Sequence, residues 1–196
     1  MNFYIKAAIL IVIITVIYLL KLGNDNNNLL EKAKIIHDNI ITLDTHCDID
    51  VNNFTESINY SQNIDTQCNI PKMEIGGLDV AWFVVYTGQG ELNTKGYEKA
   101  YDNAISKFEA IHNLVNSYSI DKIGLALNSD DVRKIHSTGK KVAMIGIENG
   151  YPIGLDIKNV EKFYNRGARY MSLSHNGHSQ LSCLLYTSPS PRDVEE

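Results

Sequence analysis

KVAMIGIENG, residues 141–150, decides the fold: a short apolar run from Lys141 to Ile147 stops at a single carboxylate, Glu148, followed by Asn149 and Gly150. The run reads as a strand ending in chemistry. Upstream, Gly76 and Gly77 precede Leu78 to Tyr86, rich in Val, Trp, Phe and Tyr with Asp79 as its one charge. That composition suits a strand buried on both faces. Further upstream, Ile40 to Leu43 leads into Asp44, Thr45, His46, Cys47 and Asp48, and downstream Tyr170 to Ser174 ends at His175. Helical spacing fills the intervals: Leu29 to Asp38, Thr94 to Tyr118, Ser129 to His136, and Asn159 to Asn165, with Arg166 in the last turn and Gly167 as a C-cap. Alternating strands and helices give an α/β domain. Polar chemistry recurs where strands end, and in a parallel α/β barrel the active site is assembled from the C-terminal ends of several strands.

The N-terminus carries a different signal. Ala7 to Leu20 is apolar except for Thr15 and Tyr18, and is bracketed by Lys6 and Lys21. It spans about 14 residues, roughly 21 Å of helix against a ~30 Å hydrocarbon core; lysine snorkelling, Phe3 to Ile5 and Leu22 extend it to a spanning length. No small-x-small site follows Leu20 and no lipobox cysteine is present, so an uncleaved signal anchor over residues 1–22 is preferred to a removed signal peptide. Either way the remainder is expected outside the cytoplasm, periplasmic or extracellular. Residues 23–28, with four Asn and one Asp, read as a polar linker, so that the folded part begins near Leu29.

A net charge of −5 with basic residues scattered singly or in pairs excludes a nucleic-acid partner. Cys47, Cys68 and Cys183 have neither zinc-ribbon nor disulfide-framework spacing. A Cys47–Cys68 disulfide is open to an exported chain, but Cys47 sits inside a more specific motif.

That motif is His46-x-Asp48. Residues two apart on a strand share a face, so an imidazole and a carboxylate can grip one zinc-like ion while Cys47 turns away. A solvated or hydrogen-bonded pair is the alternative, since a lone H-x-D is common. Glu148 offers two oxygens able to bridge two cations; capping the next helix is its alternative. Flanking Gly146 and Gly150 favour a functional site by leaving room for a ligand. His175 could bind an oxyanion, orient a substrate, ligate a metal or pack in a core. His178 reads as loop decoration, and His37, His112 and His136 lie on expected helices as surface or packing residues.

The order H-x-D, a Gly-Gly strand with aromatics (Gly76 to Phe83), I-G-x-E-x-G and R-Y-x-x-L-x-H resembles the membrane (renal) dipeptidase family of metallopeptidases over about Ile35 to Ser182. The resemblance implies a (β/α)8 TIM-like barrel, of which residues 29–182 would supply about the first half. It implies two zinc ions per complete site, with His46 and Asp48 on one and Glu148 bridging both. His175 matches the substrate-binding histidine, which steadies the oxyanion as a zinc-activated water attacks a dipeptide; Glu148 and His175 are thus the catalytic residues. A homodimer is compatible with this reading. Related dinuclear barrel hydrolases typically open with H-x-H rather than H-x-D, which separates them from this chain; another dinuclear barrel amidohydrolase and a membrane-tethered non-catalytic homologue are the alternatives.

The family's two further zinc histidines and its substrate-holding arginine and aspartate have no counterpart here. Residues 183–196 break the α/β pattern and read as a translated sequencing-library adapter, so native sequence is expected to stop at about Ser182. On this reading the 196-residue chain is an incomplete, inactive and poorly folded part of a longer dipeptidase.

Overall fold

The computed structural model describes residues 3–182, without the side chains of residues 3–10 and 22–27. Expectations about residues 183–196 therefore fall outside the described residues. The chain divides at Ile40 into two compact units.

The first unit is one helix, α1, Phe3–Asp38. It runs through residues 23–28, where a polar linker was expected. Asn and Asp cost only a few tenths of a kcal/mol more than good helix formers, and helix propagates easily between formed turns. Ile11 to Leu20 are exposed along it. Among the described residues, no helix is long and apolar enough to cross a membrane.

The second unit is an α/β fold on a five-stranded, wholly parallel sheet, consistent with part of a TIM-like barrel. Its elements are β1 (Leu43–Asp48), α2 (Ile70–Gly76), β2 (Val80–Tyr86), α3 (Thr94–Asn113), β3 (Ile123–Leu125), α4 (Ser129–His136), β4 (Lys141–Glu148), α5 (Lys158–Asn165) and β5 (Ala168–Met171). The strand order is not sequential. β2 pairs directly with β4, and β3 and β5 both pair with β4, β3 along Lys141 to Ala143 and β5 along Ile145 to Ile147. β3 was not anticipated: three residues carry too little periodicity to register. α2 was also missed, although its start is written in Asn69, whose side chain accepts from the Lys72 amide, and its end in Gly77 at φ 67°. Asn93 and Asn128 cap α3 and α4 in the same way.

The period of two along the strands sorts side chains to two faces. Ala81, Phe83 and Val85 of β2, with Ala143, Ile145 and Ile147 of β4, join Cys47 in a core shared with Ala104, Phe108 and Ile111 of α3. Trp82, Tyr86, Met144, Gly146 and Glu148 alternate with these and belong to the opposite face. Chemistry and main core thus lie on opposite faces of the same strands.

At the N-terminal ends of the strands, Thr42 and Asp79 interlock. The Thr42 amide donates to Asp79 Oδ2 at 3.0 Å, the Asp79 amide donates to Thr42 Oγ1 at 2.9 Å, and Lys141 Nζ reaches Asp79 Oδ1 at 3.2 Å. His136 Nε2 stands 3.6 Å from the same oxygen. Burial alone would push the Asp79 carboxyl up, but the Thr42 amide, Lys141 and His136 outweigh it and hold the group below the usual carboxylate value.

Candidate metal centre

β1 carries the first two candidates with an irregularity that the sequence did not announce. Leu43 and Asp44 pair with Val80 and Ala81, but Cys47 and Asp48 pair with Phe83 and Val84, so β1 contains one extra residue between Asp44 and Cys47. Such a bulge re-aims a side chain at a strand end. Beyond it the alternation holds: His46 and Asp48 are exposed, Cys47 and Ile49 buried. Cys47 and Cys68 are free thiols, not a disulfide.

Glu148 ends β4 opposite Tyr86 of β2, and its side chain is 15% exposed. Its Oε2 lies 3.3 Å from His46 Nε2, which is 3.7 Å from Asp48 Oδ1. One ligand atom from each of the three falls within 4.8 Å of the others. On the other side, Glu148 Oε1 meets His175 Nδ1 at 3.1 Å. The four residues singled out in the sequence therefore converge, with Glu148 between two imidazoles.

His175 reaches this place differently from expectation. β5 ends at Met171, three residues short of the expected Ser174, so His175 sits in the loop beyond the strand. The Tyr86 ring meets it edge-on, with centroids 5.5 Å apart. The glycines around Glu148 also serve another purpose than ligand space. A Cβ at Gly146 would run into the Tyr170 ring, and one at Gly150 would approach Leu181 Cδ1 to 2.6 Å. They admit neighbouring side chains of the protein itself.

Asn149 holds the turn after Glu148. It is fully buried at φ 74°, its amide donates to Ser172 Oγ at 2.9 Å, and its Nδ2 donates to Thr87 O at 2.9 Å. Asn tolerates the left-handed region better than most side chains. Loop positions on both sides of Glu148 are thereby fixed by one residue.

Two groups near the site escaped sequence reasoning. Tyr170 Oη donates to Thr45 O at 3.2 Å, and burial, then the charges of Glu148 and Asp48, push its phenol up. Lys107 of α3 donates to Ile49 O at 3.3 Å and lies 5.7 Å from the Tyr86 ring centroid. Burial pulls its ammonium down against the opposing pull of Asp48, Asp50 and Glu148. Lys107 occupies the stripe of an amphipathic helix where the sequence shows only a lysine among many; no local signal marks it. His112, expected to be a surface or packing residue, bonds the Arg166 carbonyl through Nε2 at 2.8 Å.

The donor set fits a divalent cation of borderline character: one imidazole and two carboxylates, with Glu148 presenting a second oxygen on the His175 side. None of the four residues lines the cavity of about 620 Å³ between the loop after β2 and the start of α3.

Comparison with known proteins points to one peptidase family. The family model described as membrane dipeptidase (peptidase family M19) matches residues 30–183. Dipeptidase verJ of Clonostachys rogersoniana is 29% identical over 75 residues, covering 38% of this chain and 19% of that protein. The probable dipeptidase PvdM from Pseudomonas aeruginosa superposes with a TM-score of 0.71 at 18% identity, covering 78% of this chain and 39% of PvdM. A metallopeptidase from Rhodobacter sphaeroides, solved with a phosphinate mimic of the dipeptide L-Ala-D-Ala, gives 0.57 at 17% identity, covering 71% and 47%. The chain therefore spans less than half the length of these relatives, and the structural likenesses establish the fold.

Proposed function

We propose, from the premise that this chain belongs to the membrane dipeptidase family of metallopeptidases, that its natural protein is a zinc-dependent dipeptidase whose first metal is held by His46, Asp48 and Glu148. The observation that carries the proposal is the convergence of one ligand atom from each of these residues within 4.8 Å, from two strands more than ninety residues apart in the chain. Bound zinc would supply Lewis acidity and an activated water.

The protein's own groups do the rest. Glu148 Oε1 lies 3.1 Å from His175 Nδ1, a contact that fixes that imidazole beside the site. Tyr86 holds the ring from the side. Carrying hydrogen on both ring nitrogens, His175 gives Nδ1–H to Glu148 and presents Nε2–H to the oxygen of a dipeptide carbonyl as charge develops there, the role of an oxyanion donor. Asp48, largely exposed at 73%, completes the anionic wall facing solvent.

The full-length protein loaded with zinc should hydrolyse simple dipeptides. His46→Ala and Glu148→Ala should each lower kcat/KM by more than the roughly 10–100-fold typical of residues that merely support ligands. Unchanged turnover in both variants refutes the assignment.

The same proposal places the chain outside the cytoplasm, held at a membrane by residues 1–22. The support is the apolar run of the sequence and the exposure of Ile11 to Leu20, an apolar surface left open among the described residues. Alkaline carbonate extraction of cells should leave the full-length protein in the membrane pellet, and a protein lacking residues 1–28 in the supernatant. Release of the full-length protein by carbonate defeats the anchor.

A further inference from the structure

The geometry points to Lys107 of α3 as a positioning residue: its ammonium joins the end of β1 to the Tyr86 ring and, through that ring, sets the orientation of the His175 imidazole. A catalytic use for that orientation rests on the dipeptidase reading above; the orientation itself does not.

His175 lacks the restraint that strand pairing gives. β5 ends at Met171, so the residue sits in a loop, and its side chain is 40% exposed. Its Nδ1 lies 3.1 Å from Glu148 Oε1, and the Tyr86 ring stands at 85° to the imidazole with centroids 5.5 Å apart. The contact at one nitrogen leaves rotation about the N···O line open, and the perpendicular tyrosine closes it. Where Nε2 aims is therefore decided by where the Tyr86 ring stands.

Tyr86 in turn is clamped by α3. Asn103 and Lys107 are one turn apart and share a face of the helix. Asn103 Nδ2 donates to Tyr86 O at 3.3 Å and to Thr87 Oγ1 at 3.0 Å, fixing the backbone where β2 ends. Lys107 takes the ring: its Nζ lies over the ring, 5.7 Å from the centroid and within cation–π reach, while donating to Ile49 O at 3.3 Å. Ile49 directly follows Asp48, the last residue of β1. The helix is a firm base for both grips, because Ala104, Phe108 and Ile111 are fully buried in the core. A lysine that only packs buries its methylenes and sends its charge to water; Lys107 is half-buried and turns its charge onto a carbonyl and a ring.

Lys107→Met keeps an apolar stem and removes the charge, and Tyr86→Leu removes the ring; with the double variant they form a cycle in the metal-free 196-residue chain. Imidazole C–H resonances are read by NMR, those of His175 being identified by their loss in His175→Gln. Lys107→Met should move the His175 resonances and leave those of His136 on α4 in place. Lys107→Arg, whose guanidinium can also stack on a ring and bond a carbonyl, should keep them near their wild-type positions. In the Tyr86→Leu background, Lys107→Met should add no further movement, because the ring carries the effect. His175 resonances unmoved by Lys107→Met overturn the proposal. So does an equal displacement with Tyr86 absent, the mark of a charge acting directly through space, and so does displacement of all six histidines together, the mark of general loss of structure.

In the zinc-loaded full-length protein, Lys107→Met should lower kcat roughly three- to thirtyfold with KM changed less than about twofold, as expected when one cation–π contact aligns a donor used in the transition state. A full-length protein that hydrolyses no dipeptide while the His175 resonances move as expected defeats the dipeptidase reading and upholds the positioning role. Dipeptide hydrolysis with kcat unchanged by Lys107→Met defeats the positioning role instead.

Discussion

Gly146 illustrates how a small residue near a candidate ligand can be misread. Its position next to Glu148 suggested room for a ligand; instead the Tyr170 ring fills the space where a Cβ would stand. That ring also packs on Trp82 at 5.0 Å and reaches the Thr45 carbonyl, one residue before His46. Gly146→Ala should therefore displace Tyr170 and cost about 1–3 kcal/mol, the usual penalty of overpacking, measurable by urea denaturation. A change within experimental error would show that the ring has another place to go. The four chemical residues were legible through their order at successive strand ends rather than individually, since a lone H-x-D is common. Asn149 and Lys107 were not, since a buried left-handed Asn and a lysine tucked behind two strand ends are defined by neighbours distant in sequence.

β1 and β5 show what periodicity omits. The alternation of apolar and polar residues located both strands, but each carries one unpaired residue: between Asp44 and Cys47 on β1, and Arg169 opposite the Ile145–Gly146 step of β4. A bulge leaves no mark in composition, yet it decides which face His46 and Tyr170 occupy. The same limit explains β3, and the premature end of β5 that leaves His175 in a loop. At the other end of the sheet, Thr42, Asp79 and Lys141 join the starts of β1, β2 and β4 through one carboxylate. Because the folded carboxyl sits below its unfolded value of about 3.9, it stabilises the protein above that pH, and the contribution is lost as pH falls through the folded value. Asp79→Asn should cost about 1–2 kcal/mol at neutral pH, and the difference from wild type should vanish on acidification. A deficit independent of pH would assign Asp79 a packing role instead.

The molecule joins a long N-terminal helix to a parallel α/β unit whose opposite sheet faces divide labour between packing and chemistry. Fold class and family were open to the sequence because both rest on the order of strand-end motifs. Strand order was not: direct pairing of β2 with β4 depends on long-range contacts that no local window records. Everything functional depends on whether His46, Asp48 and Glu148 act as one cation site. The direct measurement is a competitive zinc titration of the metal-free chain against a chromophoric chelator, alongside His46→Ala and Glu148→Ala. The wild-type chain should bind zinc, with affinity at least tenfold weaker in each variant; equal zinc affinity in all three proteins would contradict a shared cation site.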